Sequence, residues 1–347
     1  MTDLLDRPPF AARDDERFLA EMNALTRSHL EGCAPYARMW PGAREAASVA
    51  ELPFVHVGLF KHLALRTERA GLEHQRTLES SSTSGGGASR IALDALSSEL
   101  QARSSRAILA DFVGEGRRPL LVLDSVRSLR GRGGVSARVA AALSLQPFAE
   151  GMHFLLEDSA DPASMRWSAV TELAAEHDRL LVYGFTWILW LAWGAARPPE
   201  IDAALAGKTI HFVHSGGWKK LEDASVDRTR FDAALLAGLD PASRVVDFYG
   251  LVEQVGIVYP LCEAGHRHVP AWAEVLVRDP HTLEVLENAA GMLQLMNLCA
   301  YGAPYHNVLT EDLGRTVPGA CPCGRTARRF DLLGRIPKAE VRGCANV

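Results

Sequence analysis

Short apolar runs rich in β-branched and aromatic residues alternate with stretches of helical spacing, and this alternation constrains the fold more than any other feature. The strand-like runs are RPLLVLDS at 118–125, HFLL at 153–156, LLVYGF at 180–185, TIHFVHSGG at 209–217 and VVDFYG at 245–250. Strands separated by helix-length connections pair in parallel, so the pattern predicts an α/β fold with a largely parallel sheet. Helical spacing of Phe18, Met22, Leu25 and Leu30 predicts a first helix over 14–33. A Ser/Gly-rich stretch near 80–89 is followed by a second helical pattern, ALDALSSELQARSSRAILADFV. After residue 255 the runs shorten to AEVLVRD and TLEVLE, joined by turn signals such as Asp279-Pro280, which predicts a smaller β-rich subdomain. The expected division is an α/β core over 1–255, the β-rich unit over 256–333 and a tail over 334–347.

Charge and cysteine usage exclude several function classes. With a net charge of −5 and basic residues scattered along 347 positions, the chain has no footprint for a phosphate backbone, and no nucleic-acid partner is expected. Six cysteines, Cys33, Cys262, Cys299, Cys321, Cys323 and Cys344, are too few and too unevenly placed for a secreted disulfide framework. The polar, acidic N-terminus is no secretory signal, so reduced thiols in a cytoplasm are expected. Residues 180–196 carry no charge over 17 positions, the lower limit for a spanning helix. Gly184 and Thr186 interrupt them, and a β-type run followed by Trp187, Trp190 and Trp193 reads as a buried strand turning into a helix, not a membrane span.

Four segments carry chemistry. In SSSTSGGGASR at 80–90, glycines let backbone amides approach an anion and hydroxyls add donors, so Ser81, Thr83, Ser84, Gly85, Gly86 and Gly87 could cradle phosphates; a flexible linker has the same composition. In DFYGLVEQ a strand ends at Tyr249-Gly250 and delivers Glu253 beyond its carboxyl end, where ligands of open α/β sheets bind. A carboxylate there could hold Mg²⁺ beside phosphates, although an isolated glutamate is more often an exposed loop residue. Asp312 in LTEDLGR could accept both hydroxyls of a ribose, and Arg335 in LGRIPKAEVRG could donate to ribose or phosphate oxygens. Lys219 and Lys220 in HSGGWKK could line the same pocket or simply be solvated.

The order of these segments resembles the motif series of the acyl-adenylate-forming superfamily, and within it the acyl-protein synthetase (LuxE-type) family, near the phenylacetate-CoA ligase branch. PFVHVGLFKHLALRT, SSSTSGGGASR, LVYGFTW, HSGGWKK, FYGLVEQ and CPCGRTARRFDLLGRIPKAEVRGC carry the likeness, which covers nearly the whole chain. Two positions depart from the superfamily pattern: Ser82 replaces a loop glycine, and Val252 stands where threonine precedes the glutamate. The resemblance implies an N-terminal-type adenylate-forming domain that uses ATP and Mg²⁺ to activate a carboxylic acid, a fatty acid, as acyl-AMP. Full-length superfamily members carry roughly a further hundred residues after the Gly-Arg hinge, whereas 12 residues follow Arg335 here, so that C-terminal domain is expected to be absent.

The implied site roles are phosphate contacts from Ser81, Thr83, Ser84, Gly85, Gly86 and Gly87, Tyr249 and Gly250 at the nucleotide, Mg²⁺ on Glu253, ribose on Asp312, and ribose or α-phosphate on Arg335. The resemblance also implies a C-terminal cysteine that is acylated before the acyl group passes to a reductase. Cys344 lies nine residues beyond Arg335, and an extended chain of that length reaches about 30 Å. The alternatives are an external thiol or amine acceptor on CoA, a carrier protein or a small molecule, and a non-catalytic nucleotide-binding module. Cys262, His268 (or His266), Cys321 and Cys323 are the residue types of a structural zinc site, set against the reading that they are ordinary core residues. The Trp-rich stretch at 185–193 walls an acyl pocket or is plain core.

Overall fold

The structure is a computed structural model that describes residues 4–79, 88–130, 137–218 and 225–336. A two-residue strand β1 (Val55–His56) and the hairpin β2 (His74–Glu79) and β3 (Arg90–Asp94) come first. The next strands are β4 (Arg118–Val122), β5 (Ala149–Phe154), β6 (Arg179–Phe185), β7 (Thr209–Ser215) and β8 (Arg244–Tyr249). These five align in parallel in the order β5-β4-β6-β7-β8, and β9 (Tyr259–Pro260) adds an antiparallel edge.

Parallel strands covered on both faces read as continuous apolar runs rather than alternating ones. In β6 and its neighbour β4, Leu120, Val122, Leu181 and Tyr183 enter one core, while Leu121, Leu180 and Val182 enter the other. The expected α/β architecture is therefore present.

The second sheet is antiparallel. It contains β10 (Arg267–His268), β11 (Ala273–Arg278), β12 (Gly291–Asn297), β13 (Asn307–Thr316) and β14 (Arg329–Arg335), in the order β10-β14-β13-β12-β11. β1 joins it in parallel against β13, bringing residues 55–56 beside 308–309. A third buried cluster, with Tyr36, Phe60, Ile91, Leu93 and Tyr305, packs the hairpin and β1 against this sheet.

The local expectations meet the structure as follows. The first helix is Asp15–Gly32, capped by the Asp14 carboxylate accepting from the Arg17 amide and burying Phe18, Met22 and Leu25. The second starts later than its pattern suggests, at Ala95, because Asp94 caps it through the Ser97 amide and residues 90–94 pair with β2. The uncharged run at 180–196 divides into β6, a short helix Thr186–Leu189 and a π-helix Trp190–Gly194. No helix among the described residues is long and apolar enough to cross a membrane. TLEVLE does not form a strand: the Asp279 carboxylate accepts from the amides of His281 and Thr282, turning the chain, and Leu283 sits at φ 60°. Leu283 and Val285 are exposed, so no covering face rewards pairing there beyond one bridge from Val285 to Arg278.

Candidate functional site

The two sheets meet where β8 ends. The Tyr249 hydroxyl donates to Asp312 Oδ2 at 2.7 Å, tying the carboxyl edge of the parallel sheet to β13. Asp312 and Arg335 are register partners on β13 and β14, and Arg335 Nε donates to Asp312 Oδ1 at 2.9 Å. Asp312 is buried, whereas the Arg335 side chain is 70% exposed. The pair thus opens to solvent on its arginine side. Burial, reinforced by the neighbouring Asp312 charge, pushes the Tyr249 phenol well above its ordinary range, so it remains a hydrogen-bond donor.

Glu253 stands on the 3₁₀ turn Val252–Gln254, one turn beyond Tyr249 and Gly250. It is only 6% exposed, which sets aside the reading of an exposed loop glutamate. Burial raises its carboxyl pKa, opposed by a hydrogen bond from Ser89 and by the charge of Lys61, while the Asp312 charge adds to the rise. A desolvated carboxylate of this kind gains most from a cation beside it.

Buried amides hold the turn. Gln254 Nε2 donates to the Tyr305 carbonyl at 2.8 Å, and Asn297 Nδ2 donates to Gln254 Oε1 at 2.9 Å. Gly256 follows at φ 82°, and a Cβ there would stand 2.5 Å from Gln101 Cα, so only glycine lets the loop close on the helix Ala95–Val113.

The expected phosphate contacts Ser81, Thr83, Ser84, Gly85, Gly86 and Gly87, the lysines Lys219 and Lys220, and the acceptor Cys344 lie outside the described residues. Ser89, just after the Ser/Gly run, is buried beside Glu253. Sequence reading missed Lys61, Gln254, Asn297 and Tyr305 as parts of this corner. Lys61 lies in PFVHVGLFKHLALRT, where nothing local distinguishes it from a surface lysine. The tryptophans pack on one another and on the second core, with Trp167–Trp193 and Trp193–Phe212 centroids 5.2 and 5.4 Å apart.

A second cluster lies in the antiparallel unit. The ligand atoms of Cys262, His268, Cys321 and Cys323 all fall within 4.8 Å of one another. Cys262 Sγ and Cys321 Sγ are 3.8 Å apart, and Cys323 Sγ lies 3.2 Å from His268 Nε2. The other ring nitrogen of His268 faces the Ala327 carbonyl at 3.3 Å, which orients the ring. His266 is engaged elsewhere: its Nδ1 meets Asp331 at 2.7 Å, and its amide donates to Cys262 Sγ. Cys33 and Cys299 are buried in the apolar cores.

This pairing of a parallel and an antiparallel sheet is the fold of adenylate-forming ligase domains. A crystal structure of 2-hydroxyisobutyryl-CoA ligase in complex with 2-HIB-AMP and CoA superposes with a TM-score of 0.67 at 15% identity, covering 92% of this chain and 74% of that one. The N-terminal domain of FACL13 from Mycobacterium tuberculosis superposes with a TM-score of 0.51 at 15% identity, over 78% and 62% of the two chains. The chain belongs to the acyl-protein synthetase, LuxE family, whose profile matches residues 17–347. Among characterised relatives, long-chain-fatty-acid–luciferin-component ligases of Aliivibrio fischeri and Vibrio harveyi are 27% and 28% identical over 142 and 145 residues. Those matches cover 40% of this chain and only 37% and 36% of the two relatives.

Proposed function

We propose that this chain activates a carboxylic acid, a fatty acid, as an acyl-adenylate and transfers the acyl group to a thiol. In the first step a carboxylate oxygen attacks the α-phosphorus of ATP, the Pα–O bond to the β-phosphate breaks, and pyrophosphate leaves with the electron pair. Asp312 accepts from the ribose hydroxyls, with Arg335 on its open side donating to ribose or α-phosphate oxygens. Glu253 would hold Mg²⁺, which supplies charge to offset the phosphates. The Ser/Gly run at 81–87 donates to the phosphate oxygens. The observation that carries this reading is the meeting of Tyr249, Glu253, Asp312 and Arg335 at the junction of the two sheets.

In the second step the Cys344 thiolate attacks the acyl carbonyl, a thioester forms, and AMP leaves. Cys344 lies inside the stretch matched by the family profile, and the names of the relatives support fatty acid as the acid. Delivery then falls to a reductase or acyl-carrier partner. The test is incubation with ATP, Mg²⁺ and a panel of fatty and aryl acids, followed by intact-protein mass spectrometry of the wild type and Cys344→Ser. An acyl mass on the wild type alone supports transfer in cis. AMP and pyrophosphate without any adduct move the acceptor to an external thiol or amine, and no pyrophosphate with any acid overturns adenylation.

The Cys262, His268, Cys321 and Cys323 set is proposed to hold a structural Zn²⁺. Its 3.8 Å sulfur separation supports this: two thiolates about 2.3 Å from a tetrahedral ion stand about 3.8 Å apart, whereas a disulfide needs about 2.0 Å. Four protein ligands leave no open position, so the ion would brace the fold rather than react.

A further inference from the structure

We propose that Lys61 is a catalytic cation of the adenylation step, its ammonium placed to bind phosphate oxygens of ATP beside Glu253. The inference rests on the adenylation reading above and adds a residue to it. Lys61 ends the 3₁₀ turn Val57–Lys61 that directly follows β1. Because Val55 and His56 pair in parallel with Val308 and Leu309, the turn continues past β1 alongside the stretch of β13 that leads to Asp312. Phe60, the preceding residue, is fully buried in the cluster that contains Ile91 and Leu93 of β3. Val252 and Val255, on either side of Glu253, pack against that same cluster.

Lys61 is thereby anchored where three elements of the site converge: the strand after the Ser/Gly run, the Glu253 turn and the Asp312 strand. Its charge acts on the buried Glu253 carboxylate. Among the described residues its side chain enters no ion pair or hydrogen bond, whereas Arg335 is tied to Asp312. The residue type is informative as well. Only five of the 37 basic residues are lysines, so arginine is this chain's usual surface cation. A compact ammonium with three rotatable donors fits a single phosphate oxygen beside a carboxylate-bound ion better than a planar guanidinium does.

Negative charge shifts onto the bridging and non-bridging oxygens as the Pα–O bond breaks. A preplaced cation at those oxygens stabilises the transition state more than the ground state, an effect of about 10²–10³-fold in rate. The test is acid-dependent ATP–pyrophosphate exchange by the full chain and by its Lys61→Met and Lys61→Arg variants, with melting temperatures measured in parallel. The expected result is a kcat for Lys61→Met lower by about 10²–10³-fold. The KM for the acid should stay within about threefold and the melting temperature should not change, with partial recovery in Lys61→Arg. If the wild type exchanges and Lys61→Met keeps more than about a third of its rate, Lys61 is not a catalytic cation and the adenylation reading stands. Equal loss in both variants together with lowered melting temperatures makes Lys61 structural and also overturns the assignment. No exchange by the wild type with any acid sinks the adenylation reading and this one with it.

Discussion

Removing the zinc proposed for the Cys262, His268, Cys321 and Cys323 cluster should lower stability by an amount the chain geometry sets. The ion would join Cys262 and Cys321, which are 59 positions apart, and so close a long loop in the unfolded ensemble. Treated as a cross-link of that span, it contributes about 4 kcal/mol through chain entropy. Unfolding entropy of about 2.1 cal/mol/K per residue makes about 1.4 °C follow each kcal/mol in a chain of 347 residues, giving a melting-temperature drop of about 6 °C. The assay is thermal melting with and without a tight zinc chelator, on protein whose zinc content is measured by elemental analysis. One zinc per chain is expected in the wild type and none in Cys323→Ser, whose melting point should match the chelated wild type. Cobalt substitution offers a geometric check, because tetrahedral thiolate coordination gives intense visible bands. Zinc-free protein whose melting is unmoved by the chelator and by Cys323→Ser would refute the reasoning. The four side chains would then be a packed core cluster.

Two further outcomes concern stability. His29 is fully buried, with Nδ1 2.7 Å from the Thr67 hydroxyl and Nε2 donating to the Ala300 carbonyl (3.0 Å), and burial favours its neutral imidazole. Burial lowers its pKa from 6.5 to about 4. Its stabilising contribution is therefore complete above pH 6.5 and is lost as pH falls towards 4, by about 2.5 kcal/mol at pH 4.5. Denaturant titrations at pH 7.5 and 4.5 should show that loss reduced in His29→Gln; parallel pH dependences in the two proteins would count against it. Gly256→Ala should cost upwards of about 2 kcal/mol, since its Cβ meets helix backbone, against about 1 kcal/mol for Gly71→Ala, which has the same sign of φ and open space around it. Equal midpoints for the two alanine variants would show that the contact with Gln101 is not what requires glycine.

What could be read from the sequence was whatever short-range chemistry encodes. β6 and β7 announce themselves as apolar runs because both of their faces are covered, and the Asp14 cap and the Phe18, Met22 and Leu25 face specify the first helix within a few residues. The hairpin strand β3 escaped because ALDALSS carries helical spacing, and only pairing with β2 decides that residues 90–94 extend. TLEVLE failed the other way: it has strand composition, but nothing covers Leu283 or Val285.

The site divides along the same line. Tyr249, Glu253, Asp312 and Arg335 stand in motifs that can be named from local order, whereas their relation depends on a contact between residues 249 and 312 and a register between 312 and 335. Lys61 and Gln254 could not be found by spacing at all. One reaches the corner because β1 crosses to β13, some 250 positions away in sequence, and the other is identified only by the buried carbonyls it satisfies. Buried polar groups without a local motif therefore mark the part of this site that pairing between distant strands creates.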